Sequence, residues 1–410
     1  MAGESMTDGE TRPSGSLPLG GHRVLDLSGG LGAYCARLLG DLGADVLKVE
    51  PPEGDAMRRQ PPFKDGCTGP GASLVFAGYH ANKRGVTLDV RRDEALPLLA
   101  ELGGHADVVV ITPSRRSPVA GFDRDGPSLS WARTDAVVGA LTPFGLTGPM
   151  RDFRATPFVS FAMGGSMHHL GRPDGPPLNA PGQQQWDQAG LAATAGILAA
   201  LRARPAVGGQ LLDLSVHEVT AGKDYLIERY DVEGRGDWGR SVGIGYPPTG
   251  TWMCADGPLD VSSHQVRHWE AFLEMLGHPD ELSEPALADP LVRRQAFDGL
   301  REVIDGIMAP LSRADLFERG QAAGLPCCPL NTPAQFVEDK QARARELFVT
   351  TTTDALGTVE LPWRSFSSIP PLIEHRRAAP SLGQHNTEVF VDWLGHSPEE
   401  LEEWKATGLV

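Results

Sequence analysis

Residues 23–52 read RVLDLSGGLGAYCARLLGDLGADVLKVEPP, and this stretch decides the class of the fold. Arg23 to Leu27 is a short apolar run that ends in Ser28-Gly29-Gly30. Tyr34 to Leu42 then carries apolar residues at helical spacing, and Ala44 to Val49 is apolar and β-branched again. About 30 residues with that change of period make one parallel βαβ crossover. Gly29, Gly30 and Gly32 let the backbone turn sharply and approach a ligand closely. A helix beginning near Ala33 would aim free N–H groups and the positive end of its dipole at the same spot, which suits an anion or a carbonyl oxygen. A nicotinamide dinucleotide is a poor match: the glycine spacing departs from G-x-G-x-x-G, and Glu50 is followed by Pro51-Pro52, which stops the strand.

Working outward, the same alternation recurs. Asp93 to Leu102 reads as an amphipathic helix, and Ala106 to Ile111 as a buried strand. Ala136 to Leu141 is the next strand and leads into TPFGLTGP (142–149), whose glycines and prolines fix a tight loop where α/β ligands bind. Gln188 to Ala203 is an Ala-rich helix, apolar on most faces and expected to be buried, followed by Pro205 and Gly208-Gly209. A strand over Gln210–Val216 and a helix over Val219–Tyr230 follow. These repeats predict an α/β fold with a mostly parallel sheet. Around Gly234 to Gly250 the composition shifts to Gly, Arg and Pro, which reads as a linker. A second domain then opens with a hairpin over Thr251–Val261 and continues with helices over 265–277, 290–309 and 312–324. After Asn331 the chain runs through Pro370-Pro371 to a last helix over 384–394. Residues 1–19 lack periodicity and are expected to be a disordered tail.

With 410 residues and 40% hydrophobic composition, two domains are the default. No apolar run reaches bilayer length and no signal-peptide core stands at the start, so a cytoplasmic protein off the membrane is expected. A net charge of -16 argues against nucleic acid. An anionic ligand would then need a local basic patch, for which Lys48, Arg58-Arg59, Lys83-Arg84 and Arg91 are the candidates. The five cysteines show neither metal spacing nor a disulfide framework. His264 and His268 lack a third ligand, and no metal is expected.

The opening stretch, extended to Asp55, resembles the start of the family III CoA-transferases, the group that includes formyl-CoA transferase, the carnitine CoA-transferase and α-methylacyl-CoA racemase. The similarity continues in order through NKRGVTLDV (82–90), TPFGLTGPMRD (142–152), GRPDGPPLNA (171–180), AGLAATAGILAAL (189–201), GGQLLDLSVHE (208–218), AGLPCCPLNTPAQF (323–336) and SLGQHNTEVFVDWLG (381–395). The resemblance implies a large CoA-binding domain over 20–232 and 345–410 and a small α+β domain over 233–344, in a dimer whose subunits interlock. It also implies coenzyme A or an acyl-CoA as substrate, an organic acid as its partner, and a homodimer or a heterodimer with a homologue. Gly29, Gly30, Arg58, Leu88, Arg91 and Thr112 would lie near the nucleotide and pantetheine. The turn after Thr112 departs from the family's usual pattern, and Arg115 and Arg116 offer alternative phosphate contacts.

The implied reaction has a carboxylate attack a thioester, form a mixed anhydride, and be re-esterified by the CoA thiolate. That carboxylate belongs just before the Ala-rich helix, where backbone N–H groups can hold an oxyanion. Here the run is Gln183-Gln184-Gln185-Trp186-Asp187-Gln188-Ala189-Gly190-Leu191. Trp186 takes the family's usual Asp position and Asp187 follows one residue later, a rotation of roughly 100° on a helix. Either Asp187 is the nucleophile in a re-registered turn, or it is an N-cap or first-turn acid. In the second case anhydride chemistry is lost, leaving a non-catalytic acyl-CoA-binding subunit or an isomerase or dehydratase of the same pocket. Racemisation is disfavoured, because Thr156-Pro157 occupies the positions where relatives carry a His-Asp pair, with only His168-His169 nearby. Gln183, Gln184 and Gln185 are candidate amide donors to substrate, and Gly243, Gly245 and Gly250 a candidate mobile loop.

Overall fold

A computed structural model describes residues 17–64, 69–113, 121–123, 126–128, 130–172, 174–222 and 247–410. The expected basic residues Arg115 and Arg116, the glycines 243 and 245, and the helix expected beyond residue 222 lie outside these. The chain divides into two compact units, one formed by 1–167, 179–234 and 345–410, the other by 168–178 and 235–344.

The first unit begins with β1 (Arg23–Leu27), α1 (Gly30–Asp41) and β2 (Asp45–Glu50), the crossover read from the sequence. Then come α2 (Leu74–His80), β3 (Lys83–Thr87), α3 (Leu96–Gly104) and β4 (Val108–Ile111). A short antiparallel pair, β5 (Gly121–Asp123) and β6 (Gly126–Ser128), precedes β7 (Val137–Thr142) and α4 (Pro157–Met163). The long helix α5 (Gln184–Val207), β8 (Gln210–Ser215) and α6 (Val216–Ala221) complete the series. Among the described residues six strands form one parallel sheet in the order β3-β2-β1-β4-β7-β8. Strand residues alternate between two cores. Leu25, Leu47 and Val109 face one; Val24, Val46 and Val108 face the other, which α1 and α5 cover through Leu31, Leu39, Ala189, Ala193 and Ile197. Both faces of a parallel sheet must be covered in this way.

Helix α5 starts four residues before the predicted Gln188 and runs past Pro205, which sits in its last turn and cannot donate the N–H that would bond the Leu201 carbonyl. Only one stripe of it is buried; Leu191 is 49% exposed, so the expectation of a wholly buried helix does not hold for its outer face.

The second unit contains the predicted hairpin as β9 (Gly250–Cys254) and β10 (Gly257–Val261), followed by α7 (Arg267–Leu276). The helix expected over 290–309 is two, α8 (Pro290–Gln295) and α9 (Phe297–Met308), broken at Ala296. Helix α10 (Arg313–Ala322), strand β11 (Cys327–Pro329), which pairs with β10, and the short α11 (Pro333–Val337) and α12 (Lys340–Ala344) follow.

Back in the first unit, β12 (Phe348–Thr353) and β13 (Gly357–Pro362) pair, and the chain then lies along the free edge of β3. Asn82, buried and at φ 62°, accepts from the N–H groups of Arg376 and Arg377 (2.6 and 3.0 Å). The Gly85 N–H donates to His385 Nδ1 (3.1 Å) and the Thr87 N–H to Asn386 Oδ1 (2.9 Å). An edge strand's unpaired backbone is thereby closed. A π-type turn of helix (Thr387–Trp393) and α13 (Pro398–Ala406), which begins with a Ser397/Glu400 capping box, end the chain against the α3 side of the sheet through Val389, Phe390 and Leu401. Among the described residues no helix is long and apolar enough to cross a membrane.

Candidate active site

Strand order reverses between β1 and β4, and ligands of open α/β sheets bind at the carboxyl ends of the strands at such a point. The turn Ser28-Gly29-Gly30 ends β1, and Thr112 stands just past β4. Gly29 is the N-cap of α1 and has open space where a Cβ would lie. Thr112 Oγ1 is buried without a hydrogen-bond partner among the described residues.

A network of buried charges holds the turn from below. Asp26 accepts from the Ser28 N–H (3.0 Å) and hydroxyl (2.6 Å), and pairs with Lys83 Nζ at 2.9 Å, both side chains being 0% exposed. Lys83 also donates to the Ala33 carbonyl (3.0 Å) and lies 3.2 Å from His80 Nδ1. Lys48 donates to the Ser28 carbonyl and pairs with Asp55 at 3.2 Å. Burial pushes the Asp26 carboxyl up, but the Lys83 and Lys48 ammonium groups and the hydrogen bonds from Lys83 and Ser28 outweigh it and hold Asp26 below the usual range. Burial and these same cations drive His80 well below its ordinary value, so the ring is neutral and its Nδ1 accepts.

The basic residues expected around the nucleotide are largely taken up by this fold. Arg58 is 2% exposed, bonds Glu50 through Nε and a terminal nitrogen (2.6 Å each), reaches the Pro380 carbonyl (3.0 Å) and stacks on Phe76. A phosphate there would have to displace Glu50. Arg91 is exposed, with Asp89 and Glu53 each at 2.6 Å. The Leu88 side chain is buried in the core and its N–H donates to the Glu50 carbonyl (2.7 Å). Thr156 caps α4 by accepting from the Val159 N–H, with Pro157 as the first helical residue.

Gln183 is the N-cap of α5, so Asp187 is neither the N-cap nor outside the helix; it lies in the first turn, a half-buried residue. Its carboxylate accepts from the Tyr79 hydroxyl on α2 through both oxygens, at 2.8 and 3.0 Å. Burial raises the Asp187 carboxyl while the Tyr79 hydrogen bond works against that rise. Burial and the facing Asp187 carboxylate push the Tyr79 phenol well up, so it is a proton donor at neutral pH. The sequence reading missed Tyr79. The two partners stand 108 positions apart, and no local pattern links them.

Trp186 faces another way. A Cβ built on Gly30 would lie 3.0 Å from Cζ3 of its indole and 3.5 Å from Met57 Sδ, so the ring rests on the turn, and glycine is what makes room for it. Its Nε1, and Oε1 of the neighbouring Gln185, are buried without partners among the described residues. A cavity of about 420 Å³ opens elsewhere in this unit, beside Arg376, Arg377 and His385.

Comparison with known proteins matches residues 19–386 to the model of CoA-transferase family III. The beta subunit of succinyl-CoA–L-malate CoA-transferase from Chloroflexus aurantiacus is 31% identical over 408 residues, covering 96% of this chain and 98% of that one. The formyl-CoA:oxalate CoA-transferase of Streptomyces avermitilis is 32% identical over 424 residues, covering 96% and 99%. The crystal structure of a CAIB/BAIF family protein from Brucella suis superposes with a TM-score of 0.80 at 25% identity, covering 92% of this chain and 99% of that chain. A parallel sheet with its reversal point at a glycine turn, and a match that runs along nearly the whole chain, lead to one conclusion: the chain belongs to CoA-transferase family III.

Proposed function

We propose that this chain moves CoA between an acyl-CoA thioester and a small or medium organic acid, with the Asp187 carboxylate as the nucleophile. The observation that carries this reading is the Tyr79–Asp187 contact: a half-buried carboxylate in the first turn of α5, with its pKa raised by burial and a phenol as its partner. Attack by Asp187 on the thioester carbonyl breaks the carbon–sulfur bond and gives a mixed anhydride and CoA thiolate. The thiolate attacks the aspartyl carbonyl, releasing the first acid and leaving an aspartyl-CoA thioester. The second acid reverses these steps and leaves as its own CoA thioester. First-turn N–H groups of α1 at the Gly29 cap supply hydrogen bonds for an oxyanion or for the pantetheine, and Thr112 Oγ1 a further polar contact. Arg91 and the backbone at Leu88 flank the nucleotide in this reading, and Arg58 acts through the Glu50 pair. The names of the two curated relatives, with malate and oxalate as partners, favour a small acid.

A second reading rests on Trp186. The indole occupies the position where relatives carry the nucleophilic acid, and it lies on Gly30. On this reading the chain binds acyl-CoA without reacting and works beside a homologue that retains the acid, an arrangement in keeping with the relative named as a beta subunit. In either case the working form is a dimer, of two copies or of this chain with a homologue.

Incubating the full chain with an acyl-CoA and hydroxylamine separates the two. Under the first reading intact mass reports a hydroxamate or a CoA adduct that vanishes in Asp187→Ala. Binding of acyl-CoA with no adduct supports the second. No binding by calorimetry overturns both.

A further inference from the structure

We infer that Tyr79 is the oxyanion donor for the steps that take place at the carbonyl carbon of Asp187 itself, an inference that rests on Asp187 being the nucleophile. Two of the four acyl-transfer steps put their tetrahedral centre on Cγ of Asp187: the thiolate attack that expels the first acid, and the attack of the second acid that expels the thiolate. In each, negative charge develops on an oxygen of the Asp187 side chain. That oxygen needs a donor separate from one serving the substrate's own carbonyl.

Tyr79 stands at that place. Its hydroxyl is 2.8 Å from one carboxylate oxygen of Asp187 and 3.0 Å from the other, within the range at which oxyanion donors work. Whichever oxygen attacks the thioester and becomes the bridging atom of the anhydride, the remaining one keeps the hydrogen bond. No movement of the donor is then required between the first and second steps.

The phenol is also held in place by packing. Its ring packs with Ala33, Met57 and Phe76 and meets Tyr34 of α1 edge-on, with centroids 6.0 Å apart. Gly190 lets α5 lie close against α1 at Tyr34, since a Cβ there would lie 3.1 Å from the Cys35 nitrogen and 3.2 Å from Tyr34 Cβ.

Tyr79 acts at one carbon only, so the test must separate the carbons. The full chain is mixed with acyl-CoA, and two products are followed: free acyl hydroxamate, formed when hydroxylamine intercepts the acyl group of the anhydride, and protein–CoA thioester, formed only by attack on the Asp187 carbon. Asp187→Ala supplies the background for both. Tyr79→Phe, which removes one oxygen, should slow protein–CoA formation about 100- to 1,000-fold, the usual loss for an oxyanion donor. Acyl-CoA affinity should stay within about twofold and acyl hydroxamate release should continue, because in the step that forms the anhydride the oxyanion develops on the substrate's carbonyl oxygen, not on Asp187. A protein–CoA rate within about threefold of the parent overturns the inference and leaves Asp187 standing as nucleophile. Absence of both products above background in the parent chain overturns the nucleophile and Tyr79's role with it. If Tyr79→Phe does not fold, ring-fluorinated tyrosines at position 79 vary the donor's acidity in place. Protein–CoA formation should then change in step with phenol acidity, and a flat response overturns the inference.

Discussion

Replacing Lys83 by Met tests the buried network beneath the glycine turn. Lys83 and Asp26 are both 0% exposed and 2.9 Å apart, and Lys83 also serves the Ala33 carbonyl and the His80 ring. Met removes the cation while roughly filling its volume, so the cost is that of leaving Asp26 buried with less charge compensation. Removing one partner of a buried pair costs about 3–5 kcal/mol. That is a large part of the ~5–15 kcal/mol that stabilises a typical domain. Lys48 still faces Asp26, which puts the expectation at the lower end, about 3 kcal/mol. Adding Asp26→Asn should recover more than half of the loss, because the amide removes the unpaired charge and its oxygen can still accept from Ser28. Urea unfolding of the single and double variants at neutral pH measures both quantities. A loss under about 1 kcal/mol for Lys83→Met, with an unchanged slope, would refute the reasoning, as would a double variant weaker than the single one.

Other expectations follow from particular contacts. His80 is buried neutral with a folded pKa well below that of the unfolded chain, so the unfolded state takes up the proton first as pH falls. Stability from this residue is therefore present above about pH 6.5 and declines below it by up to ~1.4 kcal/mol per pH unit; His80→Gln should flatten that limb in pH-dependent unfolding. Gly190→Ala pushes a Cβ to 3.1 Å from the backbone nitrogen of Cys35, and the overpacking of about 1–3 kcal/mol should outweigh the helical gain of alanine in thermal unfolding. Asn386→Ala strips the buried Thr87 N–H of its acceptor at 2.9 Å, which should cost about 1–3 kcal/mol and raise amide exchange along β3.

The first crossover was legible because its signals agree: an apolar strand, a glycine turn, a helical period, then a β-branched strand. The buried strands Val108–Ile111 and Val137–Thr142 were legible for a similar reason, as continuous apolar runs. The fate of the basic residues was not. Lys48, Arg58 and Lys83 read as candidates for phosphate, yet each finds a buried acid, Asp55, Glu50 and Asp26 respectively. A hint was present, since Asp26 and Lys48 interrupt apolar strands and a charge inside a buried strand requires a partner. The start of α5 was misplaced because Gln184 and Gln185 carry no start signal, and the glutamine at the cap makes no side-chain capping bond to the helix. Tyr79 could not be read at all, because only the tertiary packing of α2 beside α5 brings its hydroxyl to Asp187.

The central claim is that Asp187 is the atom-transferring carboxylate of this enzyme, and its covalent intermediate can be fixed in place. Borohydride added during turnover with acyl-CoA reduces an aspartyl-CoA thioester to an alcohol, and peptide mapping then reads which residue has changed. The account predicts homoserine at position 187, dependent on acyl-CoA and lost in Tyr79→Phe. Turnover with an unmodified residue 187, or reduction at any other carboxylate, would contradict it.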